Sequence, residues 1–183
     1  MSSREQYMRQ PLEQRLARLA CTPDELAGAF RDRSADLLSR RPADSSWSAV
    51  EIVCHLRDVE ELFRIRFHTI LALDDPKILT LSAHPEDLAG WGIGGAVGHP
   101  LDPDRWAEER LYSRDDPGHA LAGFRRQRHD TLALLHSLSD AQWLRGGIHS
   151  QRGRLTLGDW VASLVSHDDN HVDQLRRALD GLP

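Results

Sequence analysis

His167 and His171 stand four residues apart in the stretch His167-Asp168-Asp169-Asn170-His171. On a helix, side chains at that spacing lie one above the other on one face, and two imidazoles so placed can reach a single divalent ion. Trp160, Leu164, His167, His171, Leu175 and Ala178 form one helical stripe, so both rings share a face with residues that belong in a core. A third inward histidine, His55, falls on a second stripe with Ile52, Val59, Leu62, Phe63 and Ile70. Three neutral imidazoles suit zinc or nickel first, iron or manganese next. Three protein ligands also leave one coordination position for water or substrate, the mark of a catalytic rather than a structural site.

Two other metal chemistries fit these residues less well. A zincin peptidase has glutamate directly after its first histidine; here that position is Asp168, whose shorter side chain reaches less far as a general base. A di-iron carboxylate site uses Glu-x-x-His on two helices, but Leu164 and Asp168 occupy the positions three before His167 and His171. Ligating histidines usually donate their second ring N–H to a carboxylate or carbonyl. Glu51 and Asp58, one turn either side of His55, are the candidates, against the plainer role of solvated charges on the helix flank. Cys54 points about 100° away from His55 around the helix and is expected to be a small buried residue. Arg128 is a candidate for binding an anionic group of the substrate and Trp91, with Trp106, for covering the pocket. His149, in the loop reading of 146–150, is expected to be solvated.

The elements that must position these residues are helices. Thr22-Pro23-Asp24-Glu25 has the pattern of a helix start, with an apolar face through Leu26, Phe30, Leu37 and Leu38. Residues 1–20 before it read as an arm or a short helix. Ser48-Ala49-Val50-Glu51 is a capping box opening a long helix over 49–73, with Trp47 placed to staple against Ile52. From 74 to 117 the pattern breaks at repeated proline and glycine, giving a long connection that includes the Gly-rich segment 83–100. A third helix spans 119–138, Ser139 to Gln142 caps a short turn ended by Gly146-Gly147, and Thr156 to Asp159 caps a last helix running to 179. No alternation of strand length is visible. The expected fold is all-α: one domain over 1–183, a four-helix bundle whose long connection between helices two and three makes an up-down-down-up course accessible.

The chain has a formal net charge of −5, with 40% hydrophobic and 28% charged residues. A phosphate-binding surface needs basic excess, so nucleic acid is not the expected partner. No apolar run approaches the ~20 residues that span a bilayer. The N-terminal residues lack the apolar core of a secretory leader, and Cys21 and Cys54 are the only cysteines. A cytoplasmic location and no membrane association are expected.

The stretch from Trp47 through His55 to Glu60 resembles the second-helix signature of the DinB/YfiT-like superfamily. His167 to Leu175 is similar to its last-helix signature, and Thr22-Pro23 and the Gly153-to-Leu157 approach are also similar. The resemblance covers residues 12–180. It implies an up-down-down-up four-helix bundle, a metal held by His55, His167 and His171, and often a homodimer. It further implies a small-molecule substrate and, in some relatives, thiol S-transferase chemistry with a low-molecular-weight thiol. The alternatives are a metal-dependent hydrolase and a non-catalytic bundle whose metal only ties helices together.

Overall fold

In a computed structural model the described residues are 4–80, 85–91 and 103–183. Four long helices dominate: α2 (Leu12–Phe30), α4 (Ala49–Ala72), α7 (Pro117–His136) and α9 (Leu157–Leu179). Shorter helices α1 (Arg4–Met8), α3 (Ala35–Ser39), α5 (Pro85–Gly90), α6 (Pro103–Glu109) and α8 (Asp140–Trp143) join or flank them.

Their directions follow from which residues meet. Arg15, Arg18 and Glu25 of α2 meet Gly158, Asp169 and Arg176 of α9 in the same order, so these two helices run parallel. Glu60 and Arg64 of α4 likewise meet Arg128 and Asp130 of α7 in order. Between the pairs the order reverses: His55 and Phe63 of α4 face His167 and Trp160 of α9. The course is therefore up-down-down-up, which requires the long connection between α4 and α7.

Local chemistry accounts for most helix ends. Ser48 and Glu51 form the expected reciprocal capping box at α4, Thr156 and Asp159 form one at α9, and Ser139 and Gln142 form one at α8. Each satisfies two backbone N–H groups that the helix itself leaves free. Asp116 caps α7, with Pro117 in its first turn.

The first helix departs from expectation. It does not begin at Thr22-Pro23 but runs through them from Leu12. An internal proline leaves the carbonyl four residues earlier without its partner; here that is Leu19 O, which accepts from Arg128 Nη1 at 2.7 Å. Thr22 does not cap: its hydroxyl donates to Asp168 Oδ2 at 2.8 Å. Tertiary partners thus supply what the local pattern lacks. Residues 31–34 then break the helix before α3.

The all-α expectation also omits a small sheet. β1 (Lys77–Ile78) pairs parallel with β2 (Gly146–His149), and β2 pairs antiparallel with β3 (Gly153–Thr156). Strands of at most four residues are too short for a hydrophobic alternation to register. Gly147 does not end a turn; it lets β2 lie against α4, because a Cβ there would sit 2.6 Å from Ile78 Cγ1 and 3.1 Å from Ile70 Cγ1. The Gly-rich segment 83–100 falls outside the described residues except for 85–91. Among the described residues no helix is long and apolar enough to cross a membrane.

The core has two parts. One gathers Val59, Phe63 and Phe67 of α4 with Trp160, Leu164 and Val165 of α9. The other gathers Ile52, Val53 and Leu56 with Val172 and Leu175. On α9, His167 and His171 fall between these two parts; on α4, His55 stands at the edge of the second part, one residue before Leu56.

Candidate metal centre

His55 on α4 and His167 and His171 on α9 come together at that junction, each offering a ring nitrogen within 4.8 Å of the others. Ring centroids are 5.2 Å apart for His55–His167, 4.6 Å for His55–His171 and 4.4 Å for His167–His171. His55 is buried, and the two histidines of α9 are half-buried.

The nitrogens fit an ion. His55 Nε2 and His167 Nε2 face each other at 3.1 Å. Two ligand atoms at the usual zinc–nitrogen distance in a tetrahedral site lie roughly 3.3 Å apart. Two neutral imidazoles whose Nε2 lone pairs converge would repel each other, and a cation between them removes that conflict. His171 Nδ1 donates to Gln174 Oε1 at 2.7 Å, the tautomer that leaves Nε2 free as a ligand. Burial holds all three rings neutral, as a ligand must be. It pulls His55 down to about 3, helped by the neighbouring His171. His167 is held well below its ordinary value by burial first, then by His171, His55, Arg128 and Arg66. His171 is lowered by burial, which outweighs the opposing bond to Gln174.

Trp47 covers this centre. Its ring lies 4.9 Å from that of His55 and, stacked, 6.5 Å from that of His171. Trp47, His171 and Gln174 also line a cleft of about 360 Å³ with Ser46, Arg177 and Leu182. The centre thus borders open space on the His171 side.

The other residues singled out in the sequence go elsewhere. Glu51 is committed to Ser48 N at 2.9 Å and to Arg41. Asp58 accepts from Tyr112 Oη and Arg110 Nη1, both at 2.7 Å, and from Arg57 Nε. Neither carboxylate serves His55, whose Nδ1 has no partner among the described residues. Arg128 faces the core instead of a substrate. It is 1% exposed, forked onto Glu60 at 2.9 and 2.7 Å, and bonded to Asp168 at 2.7 Å. Trp91 carries Lys77 Nζ 5.8 Å from its ring centre, and no described contact brings it to the histidines. Cys54 is buried, as expected, and bonds to Asp115. His149 is not a solvated loop residue: it sits on β2, 4% exposed, stacked on Trp160.

Sequence reasoning missed Gln174 and Trp47 as parts of the centre. Gln174 had a signal: it lies three residues beyond His171, where helical neighbours meet. Replacing it should matter. Removing such an outer hydrogen-bond partner weakens metal affinity about 10–100-fold, so Gln174→Leu should require correspondingly less chelator to strip the ion in a competition titration. An unchanged titration would mean that His171 is oriented without Gln174.

Comparison with known proteins is consistent with this architecture. YfiT of Bacillus subtilis, assigned by inference as a metal-dependent hydrolase, is 25% identical over 151 residues, 82% of this chain and 74% of its own. A solved structure of B. subtilis YfiT, described as having an unusual four-helix bundle topology, matches with a TM-score of 0.72 and 23% identity. That match covers 97% of this chain and 88% of the other. The family profile of the DinB superfamily matches residues 18–175. The chain belongs to the DinB superfamily.

Proposed function

We propose that this protein is a metal-dependent enzyme acting on a small molecule, with hydrolysis as the reaction. The observation that carries the proposal is the convergence of three neutral imidazoles, and no fourth metal-binding side chain among the described residues, beside an open cleft. An ion held by His55, His167 and His171 supplies Lewis acidity there, toward a nucleophile or a substrate carbonyl. The chain's own residues do the rest. Gln174 orients His171, burial keeps the three rings unprotonated, Trp47 shields them, and Arg177 and Gln174 offer hydrogen-bond donors along the cleft. The relative's hydrolase assignment supports water as the nucleophile. A low-molecular-weight thiol in its place, the S-transferase chemistry implied by family resemblance, is the finer form of the same proposal.

One assay separates these. Zinc- or nickel-loaded protein is offered activated esters and amides in water, then a model electrophile with a panel of small thiols. Turnover should disappear on chelation, return on metal addition, and be absent in His55→Ala. Activity only with thiol selects transfer over hydrolysis. Metal-independent turnover, or none in either arm, would leave the centre a structural tie between α4 and α9.

A further inference from the structure

Two arginines are buried in this bundle, and they are treated differently. Arg128 is held by two carboxylates and a carbonyl. Arg66 on α4 is 5% exposed, yet its only acceptor among the described residues is the Leu79 carbonyl, reached by Nε at 3.1 Å and Nη2 at 2.7 Å. A guanidinium has five N–H donors; those on the end between Nη1 and Nη2 meet no acceptor among the described residues. Rings cover its faces, with Cζ 4.9 Å from the centre of Phe63 and 5.7 Å from that of Trp160. Buried charges are ordinarily paired, and among the described residues this one meets no carboxylate. Burial alone pulls Arg66 down to about 10, with no carboxylate to oppose it.

Two further polar groups nearby lack partners among the described residues. Trp160 Nε1, on the ring beside Arg66, is a buried donor without an acceptor. Thr80 Oγ1, one residue beyond the carbonyl that Arg66 grips, is likewise buried and unbonded. Trp160 is 2% and Thr80 6% exposed, so both polar atoms are withdrawn from bulk solvent. A cation with a free two-pronged edge, an indole N–H and a hydroxyl together lack the same thing: an oxyanion.

We propose that Arg66, Trp160 and Thr80 form a subsite for a carboxylate-sized oxyanion borne by the substrate. The free edge of Arg66 matches a carboxylate bidentately, and Trp160 and Thr80 donate to its remaining lone pairs. Arg66 lies eleven residues, three helical turns, beyond His55 and so on the same face of α4. Its side chain leans back toward the helix N-terminus, that is, toward His55. Arg66 and Trp160 lie on the side of the histidines away from the Trp47–Gln174 cleft, so an anionic group held there approaches the centre from the opposite face, roughly two helical turns, ~10 Å, from the ring nitrogens. In naming a substrate class this rests on the metal-enzyme proposal; binding of the anion does not.

The test follows the indole N–H resonance of Trp160, assigned with Trp160→Phe, in 15N-labelled full-length protein with and without zinc. Sodium acetate and inorganic phosphate are titrated at constant ionic strength, with chloride as the control. Acetate should move the resonance saturably, chloride should not, and Arg66→Gln should raise the midpoint at least tenfold. A tighter response to phosphate would keep the oxyanion subsite and assign it to phosphate esters. No saturable movement in the wild-type protein, or an unchanged midpoint in Arg66→Gln, overturns the proposal. The wild-type titration stands even if that variant folds poorly. An acetate response in protein that binds no zinc would retain the subsite and sink the metal reading; zinc binding without an acetate response would do the reverse.

Discussion

Arg128→Met should destabilise the protein by about 3–5 kcal/mol, the cost of removing one partner from a buried ion cluster. For a chain of 183 residues each kcal/mol is worth ~2–4 °C in melting temperature, so thermal unfolding followed by circular dichroism should shift down by roughly 10 °C. Arg128 ties four elements of the fold at once. It neutralises Glu60 of α4 and Asp168 of α9, satisfies the Leu19 carbonyl freed by Pro23 in α2, and belongs itself to α7. Without it, two carboxylates that are at most 1% exposed face each other unpaired. Burial already pushes the Asp168 carboxyl up, against the pull of Arg128. The cost therefore comes chiefly from what is left behind. Glu60→Gln added to Arg128→Met should recover part of the loss, a coupling that a double-mutant cycle measures directly. Equal and additive losses would mean that Arg128 acts by packing alone.

That arginine also marks where the sequence stops being legible. The capping boxes at Ser48, Ser139 and Thr156 could be read because a cap involves residues three apart. The histidine centre could be read because a 3.6-residue period places His55, His167 and His171 on core faces before any tertiary contact is known. The course of α2 through Pro23 could not, since it depends on a donor from a helix about a hundred residues away. β1 finds its partner β2 only across the long connection (Lys77 pairs with Ile148), and although β2 and β3 form a local hairpin, no strand is long enough to alternate. Trp47 reads as a staple toward Ile52; only the packing of α9 turns it into a cover for the histidines. Arg66 did leave a trace. It falls three residues after Phe63 and four before Ile70, on the apolar stripe, and an arginine there is as anomalous as the histidines are.

His167→Ala should take the metal content of purified tag-free protein from about one ion per chain to none detectable by elemental analysis. It should also erase the stabilisation that the ion provides. A ligand present at a thousand times its dissociation constant stabilises the folded state by about 4 kcal/mol. Adding zinc to metal-free wild-type protein should then raise the melting temperature by ~10 °C, and by nothing in the variant. The pH dependence has a definite sign. In the metal-free folded protein the histidines stay neutral below their ordinary 6.5, with His55 down at about 3. The unfolded chain takes up protons near 6.5 that the folded chain refuses, so the metal-free protein loses stability as pH falls from 6.5 toward 3. For the same reason the folded site needs no deprotonation to accept zinc at pH 6, where a free imidazole would be mostly protonated. The zinc-induced rise should therefore persist from pH 8 to pH 6. A stoichiometric ion retained in His167→Ala, or a zinc effect that vanishes by pH 6.5 in the wild type, would place the metal on other, solvent-exposed groups.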